Sequence, residues 1–226
     1  MNKDIFARSI GLLGADNFEK IQDKVIAVFG LGGVGGTALE ALMRTGFQHF
    51  ILVDFDKVDP SNLNRQILYT YEDIGKAKVD VAKNRILSIN PQADIKTFNL
   101  KAQDFDFNQK IDFIVDAIDD VNGKLFLLEK AQEKNIPFIM SLGMANRFDP
   151  TKVKIAKLNQ THNDPLAKKI RYMVKKQGLD TSNIAVVISE ELPQKNGEML
   201  YSTMMVPSSA GLTIAKFILH SIIDSK

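Results

Sequence analysis

"VIAVFGLGGVGGTALEAL", residues 25–42, runs from an apolar strand through a glycine-rich turn into a helix. Gly30, Gly32 and Gly35 give the spacing G-x-G-x-x-G, and Gly33 is a further glycine within the turn. Glycines let backbone approach phosphate oxygens, and the positive end of the following helix favours their charge. Asp54 ends the next strand, 19 residues beyond Gly35, near the separation expected of an acid that binds ribose hydroxyls. The stretch therefore predicts a nucleoside bearing a diphosphate or more. On its own it fits NAD.

Around it, short β-branched runs alternate with helical stretches, as in parallel strands joined by crossover helices. Strands are expected at "KVIAVFG", "HFILVDFD", "ADIKTFNL", "DFIVDAID" and "IPFIMSLG", with helices over Gly33 to Thr45, Lys76 to Ser88 and Asn122 to Lys134. A further strand is expected in "DPTKVKIAKL". Asp164 and Pro165 open the helix "PLAKKIRYMVKKQG", which Gly178 ends. The strand "NIAVVIS" and a helix near "SSAGLTIAKFILHSII" follow. The pattern predicts an α/β fold: a doubly wound, Rossmann-like, mostly parallel sheet with helices on both faces and a C-terminal strand and helix extension. One domain is expected over residues 1–226, divided into a helical arm (1–22), a nucleotide-binding core (23–150) and the extension (151–226).

The 226 residues carry 29 basic and 27 acidic side chains, a formal net charge of +2, so bulk charge does not announce a nucleic acid. Any such partner must be met by a local patch. There is no cysteine, which excludes disulfides, thiolate zinc sites and cysteine nucleophiles. The start "MNKDIFARSIGLLG" lacks a signal-peptide pattern, and no uninterrupted apolar run approaches the roughly 18 residues needed to span a bilayer. A cytoplasmic protein with no membrane partner is the expectation.

Beyond Asp54, the loop of "VDFDKVDPSNLNRQ" carries Arg65, and Lys78 stands at the start of a helix. Two long cations beside a glycine loop suit a triphosphate better than NAD. In "DFIVDAIDDVNGK" an apolar strand delivers Asp116, Asp119 and Asp120 to its carboxyl end, where ligands of open parallel sheets bind. Carboxylates crowded there repel one another unless a cation intervenes, and Mg²⁺ is the usual ion beside phosphates. Asp119 is assigned the metal and Asp116 a structural role. Asp119 or Asp120 is expected to cap the helix that begins near Val121.

"GLGGVGGTALEALMRTG", "LVDFDKVDPSNLNRQ", "GKAKVDVAKNRILSINP" and "VDAIDD" resemble the MoeB/ThiF/HesA adenylating enzymes, a group that includes the ubiquitin-activating enzymes. Within it, "FARSIGLLG", "SLGMANRFDPTKVKIAKL", "DPLAKKIRYMVKKQGL", "VVISEELP" and "VPSSAGLTIAKFIL" are most similar to the tRNA threonylcarbamoyladenosine dehydratase branch. The resemblance implies ATP-dependent adenylation of the threonylcarbamoyl carboxylate on the adenosine beside the anticodon, then ring closure. It implies ATP and Mg²⁺ as cofactors, with Asp54 on the ribose, Asp56, Asn62 and the glycines around the nucleotide, Arg65, Gln66 and Lys78 on its phosphates and Asp119 on the Mg²⁺. It also implies a homodimer in which Arg8 reaches the neighbouring subunit's triphosphate, and sulfur-relay partners.

Many sulfur-carrier activators hold zinc through C-x-x-C pairs, which this chain lacks. A zinc-free activator of a small ubiquitin-like sulfur carrier is the alternative. For tRNA, Lys168, Arg171 and Lys175 recur at helical spacing, with Lys169 and Lys176 flanking, and form either a phosphate-binding face or an ordinary solvated one.

Overall fold

The computed structural model describes residues 3–162, 164–180, 182–194, 197 and 199–224. Strand β1 (Val25–Phe29) is an unbroken apolar run because both of its sides are covered. It pairs in parallel with β2 (His49–Val53) and β4 (Phe113–Asp116), and β2 pairs with β3 (Asp94–Phe98). On the other side lie β5 (Phe138–Ser141), β6 (Val153–Lys157) and β7 (Ala185–Ser189). The order is β3-β2-β1-β4-β5-β7-β6, and only β6 runs antiparallel, paired along β7.

The helices are α1 (Ala7–Leu13), α2 (Ala15–Gln22), α3 (Gly33–Thr45), α4 (Lys78–Ile89), α5 (Val121–Glu133), α6 (Pro165–Lys176) and α7 (Met205–Ile223). Strand alternation sorts the core into two sides. Ile26, Val28, Phe50, Leu52, Phe113 and Val187 face α2, α3, α4 and α7, while Ala27, Phe29, Ile51, Val53 and Ile114 face the side of α5. Met140, Val186 and Ile188 pack against Leu125 and Leu128 of α5 and Ile170 and Val174 of α6. Each such buried aliphatic side chain contributes about 1.5–3 kcal/mol.

The expected elements form, with differences that have local causes. Helix α4 starts at Lys78 rather than Lys76, because Lys57 bridges Ala77 and Val58 donates to the Lys76 carbonyl. Helix α5 starts at Val121, one residue early, since Asp120 is its cap. The helical arm is two helices, broken at Gly14 by a φ of +79°. Among the described residues, α7 is the one helix long and apolar enough to cross a membrane, which the count of uninterrupted apolar residues overlooked. One face of it packs into the core. Val206, Ala210, Gly211, Ile214 and Ile218 are buried, and a Cβ on Gly211 would stand 2.5 Å from the Val34 carbonyl of α3.

Candidate active site

A cleft of about 750 Å³ opens at the carboxyl ends of β1, β2 and β4. Its floor is the turn from β1 into α3. A φ of +87° and the absence of a side chain are both required at Gly30, where a Cβ would lie 2.6 Å from the Ala117 carbonyl. Gly35 is equally confined, with 1.9 Å between its would-be Cβ and the Gly30 carbonyl. The N-cap of α3 is Gly32, so no side chain caps the helix and no acid occupies its first turn. Its first amides are left to an anion.

The turn is fixed from two sides. Asp54, buried at the end of β2, accepts the Leu31 amide through Oδ2 at 2.7 Å and the Asp56 amide through Oδ1 at 2.8 Å. Burial pushes its pKa up, against the pull of Lys78 and of those two amides. Tyr69, buried on the opposite side, donates to the Leu31 carbonyl at 2.8 Å. Nothing in the sequence singled out Tyr69: Tyr71 stands two residues on in "ILYTY", and only the fold buries Tyr69 while leaving Tyr71 exposed.

The loop bearing Asn62, Arg65 and Gln66 lies along the start of α3, where a Cβ on Gly33 would meet the Arg65 carbonyl at 3.0 Å. All three line the cleft. Arg65 donates to the Ser61 carbonyl at 2.7 Å and to Asn64 at 3.0 Å, which aims its guanidinium from a half-buried base. Gln66 is buried, and its Oε1 has no partner. Lys78, the first residue of α4, is also buried and holds Asp56 at 2.8 Å, leaving two of its three ammonium hydrogens for other acceptors. Across the cleft, Lys101 stands over the exposed ring of Phe55, 5.6 Å from its centroid, a pair the sequence did not reveal.

The three carboxylates after β4 separate cleanly. Asp116 is fully buried on Lys124, and burial pushes its pKa up. Asp120 caps α5, accepting the Gly123 amide at 2.6 Å, and Gln103 donates to it at 3.3 Å. Asp119 is exposed in the cleft, and no hydrogen bond or ion pair engages it among the described residues. A hard, unengaged oxygen donor beside a phosphate-binding turn fits Mg²⁺, which needs only one or two protein carboxylates when phosphates complete its shell. No cluster of three metal-binding side chains occurs among the described residues, so the phosphates would have to supply the remaining ligands.

Other expected site residues stand apart. Arg8 is exposed on α1 and does not line this cleft. On α6, Lys168, Lys169, Lys175 and Lys176 are exposed, whereas Arg171 is half-buried and donates to the carbonyl and hydroxyl of Thr161. The start of α6 is tied to the cleft wall: its cap, Asp164, also accepts the Gly143 amide at 3.2 Å, next to the cleft residues Met144 and Ala145.

Comparison with known proteins agrees with this geometry. Residues 6–222 match the ThiF family, and the chain belongs to that family. It is 36% identical over 192 residues to the tRNA threonylcarbamoyladenosine dehydratase of Bacillus subtilis, covering 83% of this chain and 75% of that one. It is 35% identical to the Escherichia coli dehydratase, over 75% of this chain and 65% of that one. The crystal structure of the Escherichia coli enzyme, TcdA, in complex with ATP superposes with a TM-score of 0.92 at 29% identity, covering 98% of this chain and 95% of that chain.

The division of labour between Asp119 and Asp120 is open to a direct check. Asp120→Ala should cost about 1 kcal/mol through loss of the cap, lowering the melting temperature by roughly 2–4 °C. Asp119→Asn should leave melting unchanged, since nothing in the fold leans on that carboxylate. Equal losses for both in thermal unfolding would contradict the assignment.

Proposed function

We propose that this member of the ThiF family is a tRNA threonylcarbamoyladenosine dehydratase, which binds ATP in the cleft and spends it on closing the threonylcarbamoyl group into a ring. The observation that carries the reading is the joining of an uncapped helix start, a ribose-binding acid, two cations and an unengaged Asp119 in one cleft. Solved relatives that hold ATP or AMP share this fold over 98% of the chain.

The chemistry follows from placement. Asp54 would hold the ribose, and the α3 amides, Arg65, Gln66 and Lys78 the phosphates. The substrate carboxylate attacks the α-phosphorus, and the bond to pyrophosphate breaks in line. Asp119 would hold Mg²⁺, whose charge offsets that gathering on the leaving pyrophosphate. Attack from within the same substrate on the adenylated carboxyl then expels AMP and closes the ring. The net change is loss of one water, whose oxygen leaves in AMP. With no cysteine available, no thioester can form on this chain.

The exposed lysines of α6 are the proposed tRNA-binding face, supported by their link through Asp164 to the cleft wall. Arg171 contributes less than its spacing suggested, because Thr161 occupies it. We place the enzyme in the cytoplasm, where its tRNA substrate resides, and this is tested by fractionation with an antibody.

Purified protein with ATP-Mg²⁺ should convert threonylcarbamoyladenosine in tRNA to a product lighter by one water, releasing AMP and pyrophosphate. Mass spectrometry of digested tRNA reads the product. Conversion should weaken as salt rises, and each α6 lysine changed to Ala that loses a phosphate contact should reduce the salt slope by about 1. Unchanged tRNA, with adenylation of a sulfur carrier's C-terminal glycine, would overturn the reading.

The reading includes a homodimer with shared sites, since Arg8 is exposed and outside its own cleft. Arg8→Ala and Asp119→Asn should each be inactive alone, and mixed dimers should regain part of the activity. No recovery in a verified mixed dimer would place Arg8 in no neighbouring site.

A further inference from the structure

Lys124 is completely buried, and its ammonium reaches Asp116 Oδ1 at 2.9 Å and the Ser141 carbonyl at 2.8 Å. Asp116 ends β4 and Ser141 ends β5, so one side chain from the start of α5 joins the carboxyl ends of two neighbouring strands. Between Asp116 and α5 lie residues 117–120, every one of which lines the cleft. Asp116 Oδ1 also accepts the Ile118 amide at 3.3 Å, binding the first turn of that loop to the same carboxylate. The loop in turn sits directly on Gly30, where a Cβ would meet Ala117 at 2.6 Å.

Removing two charges wholly from water costs more than their attraction returns unless further hydrogen bonds assist, and packed apolar residues are often as stable. Here Asp116 Oδ2 is left without a partner, so the pair is not optimised for stability. What it does supply is a fixed direction. We infer that Lys124 is a positioning residue of the nucleotide site: by joining Asp116 to Ser141 it sets the 117–120 loop, which aims the Asp119 carboxylate. The inference rests on the reading of the cleft as an ATP-Mg²⁺ site. Lys124 itself touches no nucleotide.

Lys124→Met alone would strand a buried carboxylate and is expected to unfold the protein, so the test uses Asp116→Asn/Lys124→Met, which removes both charges. Mn²⁺ serves as the metal and a non-hydrolysable β,γ-methylene analogue of ATP as the nucleotide, both followed by calorimetry. In the folded double variant, Mn²⁺ affinity for the nucleotide complex should fall about tenfold or more, as for other residues that orient a metal ligand. Binding of the analogue without metal should change less than about threefold, and in turnover kcat should fall while KM for ATP stays near the wild-type value. A folded double variant with wild-type Mn²⁺ affinity and kcat would overturn the inference. Amide exchange in the wild-type protein tests it independently of any variant: Ile118, bonded to Asp116, should exchange far more slowly than a free peptide, and exchange at the free rate would contradict it. If the wild type itself binds no Mn²⁺-nucleotide, the reading of the cleft fails, not the role of Lys124.

Discussion

No side chain fits between Gly30, just past the end of β1, and the carbonyl of Ala117, just past the end of β4: a Cβ there would lie 2.6 Å from that oxygen. This contact of backbone on backbone ties the glycine-rich turn to the loop that bears Asp119. It also orders the rest of the site. Because β1 and β4 are neighbours in a parallel sheet, their carboxyl ends open on the same edge, and α3 leaves that edge with uncapped amides facing outward. Asp54 and Tyr69 then hold Leu31 from opposite sides, through its amide and its carbonyl. A turn held at both polar groups of one residue, and pressed on a neighbouring loop, meets an anion with little rearrangement, which is the condition for electrostatic stabilisation at low cost.

Besides Asp56, which pairs with Lys78, four carboxylates gather near this edge, and their surroundings give each a different task. Asp54 has both oxygens on backbone amides, yet each oxygen keeps a further lone pair for a ribose hydroxyl. Asp116 is sealed in the core against Lys124. Asp120 accepts the Gly123 amide in the first turn of α5. Asp119 alone keeps both oxygens for something that comes from outside, and it faces the cleft that the glycine turn also lines. Away from the cleft, Glu40 links α3 to α4 through Arg85 at 3.0 Å and 3.1 Å, with Arg44 at 2.8 Å, and these arginines hold its carboxyl below the usual range despite burial. Helices α3 and α4 are therefore fastened to each other.

Much of this was legible in the sequence. The apolar run ending in G-x-G-x-x-G located α3 to the residue and β1 to within one residue at each end, since strand, glycine and helix signals there all agree. Asp164 and Pro165 marked the start of α6 for the same reason. The boundary of α4 was misjudged by two residues because the bridge from Lys57 to Ala77 is a contact between segments 20 residues apart, which periodicity does not record. The insertion of β7 between β5 and β6, with β6 reversed, was likewise invisible: pairing depends on packing over distance, and the strands alone carry no order. In the site, Gly30 and Asp54 could be named from spacing, and Arg65 and Asp119 from their charge and their place after a strand. Lys124 and Tyr69 could not, because a lysine on a helix and a tyrosine in a loop look like surface residues until the fold buries them.

On the function proposed, the cleft takes a triphosphate with a metal ion rather than a dinucleotide. Calorimetric titration of the purified protein with ATP-Mg²⁺ and, separately, with NAD tests it most directly. Binding of ATP-Mg²⁺ should be saturable and weaken sharply in Arg65→Ala, with no binding of NAD at the same concentrations. Tight binding of NAD with none of ATP would contradict it, and with it the adenylating chemistry assigned to Asp54, Arg65, Lys78 and Asp119.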